Sequence, residues 1–189
     1  MVRSFSTDVV DRTVLDHILE AALRAPPAGN TGGTAVVTLT GPETAAYWDA
    51  TTDEAWRASS ARFPGLRRAP VIVLAYASAE EYVARYAEDD KAHPQLGSDP
   101  DQWPVPYWTG DAAFAVMSIL LATVDAGLGA CVLGNFRGEP ALAASLGVPE
   151  GWQLFCAVAL GHPDGQDHRS ASLDRPPPPS SARLHFGRW

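Results

Sequence analysis

Catalysis by side chains needs nucleophiles, acid–base pairs or metal ligands in workable spacing, and this sequence offers few of them. Gly127-Leu128-Gly129-Ala130-Cys131-Val132 has the outline of a dinucleotide fingerprint, yet Val132 stands where the third glycine belongs. The run also leads from a helical pattern into a strand pattern, the reverse of the order that presents a helix N-terminus to a pyrophosphate. A glycine helix stop accounts for it better. His162, Asp164, Asp167 and His168 crowd together around Pro163 and Gly165. Their spacing matches no zinc pattern and reads as a solvated loop, so no metal is expected. The chain has neither a G-x-S-x-G elbow nor a Walker loop. Cys131 and Cys156 lie in apolar runs without basic neighbours in sequence, as inert core thiols do. No catalytic side chain is indicated. What remains is a glycine- and proline-rich loop near residue 30, an aromatic run near residue 107 and an arginine-bearing tail.

The elements that must position these features belong to an ordinary globular chain. It has 189 residues, 46% hydrophobic and 19% charged, sized for one domain spanning 1–189. A net charge of -8 argues against a general nucleic-acid binder, which needs a basic surface to displace counterions from phosphates. Two cysteines cannot build a disulfide framework. Met1-Val2-Arg3-Ser4 lacks the apolar core of a signal peptide, and no apolar run approaches about 18 residues. A cytoplasmic protein with no membrane partner is expected.

Thr13 to Arg24 carries an amphipathic stripe, with Asp11 as N-cap and Pro26-Pro27 as the stop. Ala35 to Thr40 reads as a strand, Glu43 to about Ser60 as a second helix and Val71 to Tyr76 as a buried strand. From Ala77 to Asp111 there are eight acidic and two basic side chains, the pattern of a solvated acidic face or loop. Asp111 is placed to cap a helix from Ala112 to Asp125 that is apolar almost all round, hence central or at an obligate subunit interface. A strand at Ala130 to Leu133, a helix at Glu139 to Leu146 and a strand at Gln153 to Leu160 follow. The tail, 168–189, holds Pro176 to Pro179 and must be extended. It also holds Arg175, Arg183 and Arg188, with Arg169 at its start, and the aromatic anchors His185, Phe186 and Trp189. It has to lie on its own domain or on another subunit.

Element order and several short motifs together resemble the FMN-dependent nitroreductase family, in particular a small bacterial branch. Arg3-Ser4-Phe5, the first helix and Ala25-Pro26-Pro27-Ala28-Gly29-Asn30-Thr31 are similar to that family's opening, a basic residue before Phe, then a helix, then A-P-S-x-x-N. The apolar helix ending in Gly127-Leu128-Gly129 and entering a strand resembles its second signature. Pro106-Tyr107-Trp108 and Leu184-His185-Phe186-Gly187-Arg188-Trp189 are similar to the small branch.

The resemblance implies an α+β fold, a mixed sheet flanked by helices on both faces. It also implies a homodimer whose central helices pack together and whose tail lies on the partner subunit. FMN would sit at the subunit interface, reduced by NAD(P)H and reoxidised in ping-pong fashion by a small-molecule electron acceptor such as a nitroaromatic or quinone. Arg3 would face the negative edge of the reduced flavin, with Ser4 beside it. Asn30 would offer its amide, and Leu133 and Gly134 a close backbone N–H. Arg175 and Arg188 are the tail candidates for the phosphate, and Tyr107 and Trp108 for the acceptor pocket. Pro27 replaces the loop serine, Gly32-Gly33-Thr34 replaces the usual Q-P-W, and basic or hydroxyl residues before Arg3 are missing. These departures keep two other readings open: a member that sequesters or lacks flavin, and a flavin-dependent oxidase of a biosynthetic intermediate.

Overall fold

The computed structural model describes residues 1–91, 93–167 and 170–189. Helix α1 (Arg12–Leu23) opens on Asp11, whose carboxylate accepts from the backbone N–H groups of Thr13 and Val14. This is the N-cap that the sequence indicates, since the first turn has no internal acceptors of its own. A 3₁₀ turn at Ala28–Asn30 leads into β1 (Thr34–Thr40). The helix expected from Glu43 to about Ser60 is in fact two, α2 (Thr44–Thr51) and α3 (Glu54–Ser59). The break has a local cause. Asp53 leaves helical geometry and caps α3, accepting from the Trp56 N–H at 2.7 Å. Arg57 then pins the junction by donating to Thr52 Oγ1 and to the Trp48 carbonyl.

After α4 (Phe63–Leu66) and β2 (Val71–Ser78) comes α5 (Ala79–Ala87), a helix inside the stretch that reads as acidic loop. Glu80 and Glu81 face solvent while Tyr82 is fully buried, so one side chain docks an otherwise polar helix. The chain continues through α6 (Tyr107–Asp125), β3 (Gly129–Leu133), α7 (Glu139–Leu146) and β4 (Trp152–Gly161).

The four strands lie in the order β1-β2-β4-β3 with every neighbouring pair antiparallel. The sheet is therefore not mixed. The excursion through α2 to α4 closes where it began: Thr40 faces Val71, and the Gly41 N–H donates to the Pro70 carbonyl at 2.8 Å. A parallel neighbour would need a crossover to the far end of the sheet. Helices do cover both faces. Val71, Val73, Ala75, Val158 and Leu160 pack with α1 and α6, whereas Ile72, Leu74, Tyr76, Ala157 and Ala159 pack with α2, α4 and α7.

Helix α6 starts at Tyr107, not at Ala112, because a proline just before the first turn sets helical φ and loses no hydrogen bond there. Asp111 is consequently no cap. It is 5% exposed inside α6 and accepts two hydrogen bonds of 2.6 Å, from the Ala28 N–H and the Tyr82 hydroxyl. Burial, then the bond to Asp111, holds the Tyr82 hydroxyl protonated well above the usual tyrosine range. By length and apolar composition α6 is able to cross a membrane. Here its Ala112, Ala115, Val116 and Ile119 face buries against α1 and the sheet, and Phe114, Met117, Leu121 and Val124 remain more than half exposed. Asp111→Ala would strand two buried donors and is expected to lower unfolding free energy by about 2–4 kcal/mol, against about 1–2 for Tyr82→Phe. Urea denaturation followed by tryptophan fluorescence measures both; an Asp111→Ala loss below that of Tyr82→Phe would contradict this account.

Candidate functional site

The first residues of the chain are laid along the β3 and β4 side of the sheet. The Val2 N–H donates to the Ala130 carbonyl at 2.9 Å, Phe5 pairs with Pro163, and the Ser6 N–H reaches the His162 carbonyl. The Phe5 ring is fully buried, which anchors the segment. Helix α4 presses on it from outside. A Cβ added at Gly65 would stand 2.6 Å from the Arg3 carbonyl oxygen and 3.0 Å from Ser4 Cα, so only glycine permits this approach.

That placement brings Arg3, Leu133 and Gly134 to one cavity of about 590 Å³, whose wall also includes Trp56, Arg62 and Cys131. Ser4 lies next door, in a pocket of about 160 Å³ ringed by Arg3, Arg62 and Arg68. Its hydroxyl is already engaged, donating to Asp164 at 2.9 Å and accepting from Arg68 at 3.1 Å. Arg68 also donates to the Phe5 carbonyl and pairs with Asp164. The Gln166 N–H first, then Ser4 and Arg68, hold the Asp164 carboxyl below the usual carboxylate range. Of the other residues in that loop, His168 and Arg169 lie outside the described residues.

The remaining expected site residues lie elsewhere in the protomer. Leu133, Ala157, Leu74 and Val37 form one rung across the sheet, so β3 and β1 are opposite edges, roughly 14 Å apart at ~4.8 Å per strand. Asn30 is exposed in the turn before β1, with φ 56°. Arg85 steadies that turn, donating to the Gly29 carbonyl at 3.0 Å while gripping Asp90 with two bonds. Tyr107 and Trp108 meet Trp103 edge-on, and Trp108 also meets Tyr82, whose hydroxyl holds Asp111. These two aromatics are thus on the side of the Asn30 turn and away from Arg3. Arg175 and Arg188 stand in the tail, exposed throughout 172–189. An apolar groove of about 890 Å³ beside Val9, Pro42 and Phe63 includes none of the expected residues.

Trp56 and Arg62 are the site residues that sequence patterns do not single out. Trp56 is held by the Asp53 cap, a signal hidden inside what reads as one long helix. Near Gly134, a smaller cavity of about 190 Å³ adjoins Trp56, Leu133 and Asn135. Asn135 Oδ1 is buried without a partner among the described residues. The Phe136 ring, 95% exposed, covers Gly134 so closely that a Cβ there would stand 2.9 Å from it. Burial pushes the Cys156 thiol up to about 11 and raises Cys131 as well, although Arg3 opposes the latter. Both therefore stay protonated at neutral pH. Arg3 and Arg62, with no ion-pair partner among the described residues, share this cavity with Trp56, Ser59, Ser60 and Leu66, a lining that suits a ligand carrying negative charge, and its volume lies in the usual range for cofactor sites.

A family model described as the nitroreductase family matches residues 1–162. A relative named NADH dehydrogenase, from Thermus thermophilus, is 27% identical over 188 residues, covering 91% of this chain and 86% of its own. Among solved structures, nitroreductase CinD from Lactococcus lactis in complex with nicotinic acid superposes with a TM-score of 0.78 at 21% identity, covering 100% of this chain and 95% of that one. An FMN-dependent nitroreductase from Clostridium difficile gives 0.67 at 19% identity, covering 100% and 94%. At these identities the superpositions establish the fold.

Two outcomes test the N-terminal anchorage. Alanine is normally the better helix former by about 1 kcal/mol, yet Gly65→Ala should destabilise by about 1–3 kcal/mol because the Arg3–Ser4 backbone must move; a raised urea midpoint would refute the close approach. The Asp164 contribution is present above its unfolded value and is lost as pH falls through its depressed folded value. Asp164→Asn should therefore flatten the acid limb of a plot of Tm against pH, and an unaltered limb would remove this latch from the stability of the segment.

Proposed function

Because the chain belongs to the nitroreductase family, we propose that it is an FMN-dependent oxidoreductase using NAD(P)H to reduce a small acceptor such as a nitroaromatic or quinone. The observation that carries this reading is the convergence of Arg3, Arg62, Leu133 and Gly134 on one cofactor-sized cavity. FMN, when bound, supplies a two-electron carrier between a nicotinamide donor and the acceptor. The chain's own residues supply position and charge. Arg3 would stabilise negative charge at the flavin edge, and the Leu133–Gly134 backbone would line the cavity beside the ring. Trp56 and Leu66 line the cavity and keep water from its inner wall. Donor and acceptor use one cavity in turn, which gives ping-pong kinetics.

The functional unit is a homodimer. The apolar stripe Phe114, Met117, Leu121 and Val124 on α6 is exposed in one protomer and suits a second copy of the same helix. Leu173, Leu184, Phe186 and Trp189 leave the tail equally uncovered, which supports its packing on the partner and its delivery of Arg175 and Arg188 toward the phosphate. Asn30, Tyr107 and Trp108 would then complete the partner's site across the interface. Purified protein should be yellow and release FMN on denaturation; a colourless protein that cannot be reconstituted with FMN overturns the reading. Arg3→Ala is expected to slow reduction by NAD(P)H about 10- to 100-fold in stopped-flow absorbance, one charge-assisted interaction's worth. Leu121→Glu should convert the dimer to monomer in light scattering, and a wild-type monomer would undo the interfacial site.

A further inference from the structure

The turn that carries Asn30 is held more firmly than its exposure suggests. The Ala28 N–H donates to Asp111, and the Ala28 carbonyl accepts from Thr31 Oγ1 at 2.7 Å. The Gly29 carbonyl accepts from Arg85 Nε at 3.0 Å, and the Asn30 N–H donates to the Pro27 carbonyl at 3.2 Å. The ring of Tyr86 abuts the same turn: a Cβ added at Gly29 would stand 2.7 Å from it. Gly29 and Asn30 both take positive φ, 67° and 56°, and Asn30 is the one non-glycine residue to do so among those described. A side chain kept in that region carries a conformational cost that its surroundings must offset. The Asn30 carboxamide itself has no partner among the described residues.

Arg85 reaches this turn from α5. Its side chain is 18% exposed, whereas Glu88 and Asp90, which it grips, are each 61% exposed. Ion pairs with carboxylates so open to water add little to stability. What they fix is orientation. Asp90 takes both terminal nitrogens, at 2.6 and 2.7 Å, and Glu88 takes one of them at 2.9 Å. A planar fork held at both tips has its remaining donor, Nε, aimed in one direction, and that direction is the Gly29 carbonyl.

We propose that Arg85 is a positioning residue for cofactor binding: it sets the turn so that the Asn30 carboxamide is presented to the flavin, and it acts through Asn30 without touching the flavin itself. This role rests on the flavin reading above, in which Asn30 completes the partner's site.

The full-length protein in its native oligomeric state, freed of flavin, is titrated with FMN by flavin fluorescence as wild type, Arg85→Ala, Asn30→Ala and the double variant. Each single substitution should weaken FMN about 3- to 10-fold. The double variant should stay within about twofold of Asn30→Ala, because a positioning residue has nothing to act through once the carboxamide is gone. Asp90→Asn, which frees the guanidinium plane, should cause a smaller loss and none on top of Asn30→Ala. Arg12→Ala, a surface arginine paired with Asp16, should change nothing. Hydrogen exchange of the flavin-free protein gives a second readout: Arg85→Ala should speed exchange at the Ala28 and Asn30 amides about tenfold, with α1 as in the wild type. Faster exchange in α1 as well marks a folding loss, and the Asp90→Asn cycle then decides. Losses that multiply in the double variant overturn the role given to Arg85, as does an unchanged FMN affinity in Arg85→Ala. Asn30→Ala that binds FMN like the wild type also overturns it, and leaves the flavin reading intact. A wild type that binds no FMN overturns the flavin reading itself, and the role of Arg85 with it.

Discussion

Strand β2 is buried at all eight of its positions, Val71 to Ser78, and the architecture follows from that constraint. Alternate side chains of a strand point to opposite faces, so burial of every one forbids water on either side of the sheet. The even rows demand α2, α4 and α7; the odd rows demand α1 and α6. Both of β2's neighbours are antiparallel, β4 central and β1 an edge, and the N-terminal segment covers part of the β3 edge through Val2. Arg3, Leu133, Gly134 and α3 enclose the cavity beside this edge.

The second organising interaction is electrostatic. Asp111 is a buried acidic side chain with no cation beside it among the described residues, satisfied by a backbone N–H and a phenol. Such a group is tolerable only when hydrogen bonds replace its lost hydration. It fastens α6 to the turn that bears Asn30 and to α5 at once. The loop that the sequence marks as glycine-rich and permissive is therefore held from two sides, by Asp111 at Ala28 and by Arg85 at Gly29.

Much of this was legible from residue types and order. Asp11 as a cap, Gly147 as a stop and the boundaries of α7 follow from short-range chemistry and match the structure. The run Val71 to Tyr76 announced a strand buried on both faces. What was illegible depends on distant partners. Asp111 looks like a cap because aspartate before an apolar run usually is one; only Ala28 and Tyr82, far off in sequence, turn it inward. Helix α5 is hidden by its charge, since a single buried tyrosine leaves almost no periodic signal. The mixed sheet came only with the resemblance, and the Gly41–Pro70 closure shows why the strands instead return antiparallel. In the site, Arg3, Leu133 and Gly134 were marked by motif, whereas Trp56 and Arg62 lie in no motif and are recruited by the fold alone.

The tie between Ser4 and Asp164 joins residues 160 positions apart, with a consequence for how the molecule is made. On a ribosome adding about 5–20 residues per second, the N-terminal segment must wait roughly 10–30 s before its partners exist. Until then Phe5 has no pocket and Arg3 no fixed place, and the sheet lacks β3 and β4 altogether. The cavity is thus completed only late in synthesis. A ribosome-bound fragment that ends before His162 lacks the contacts that fix Arg3 and Ser4 beside this cavity.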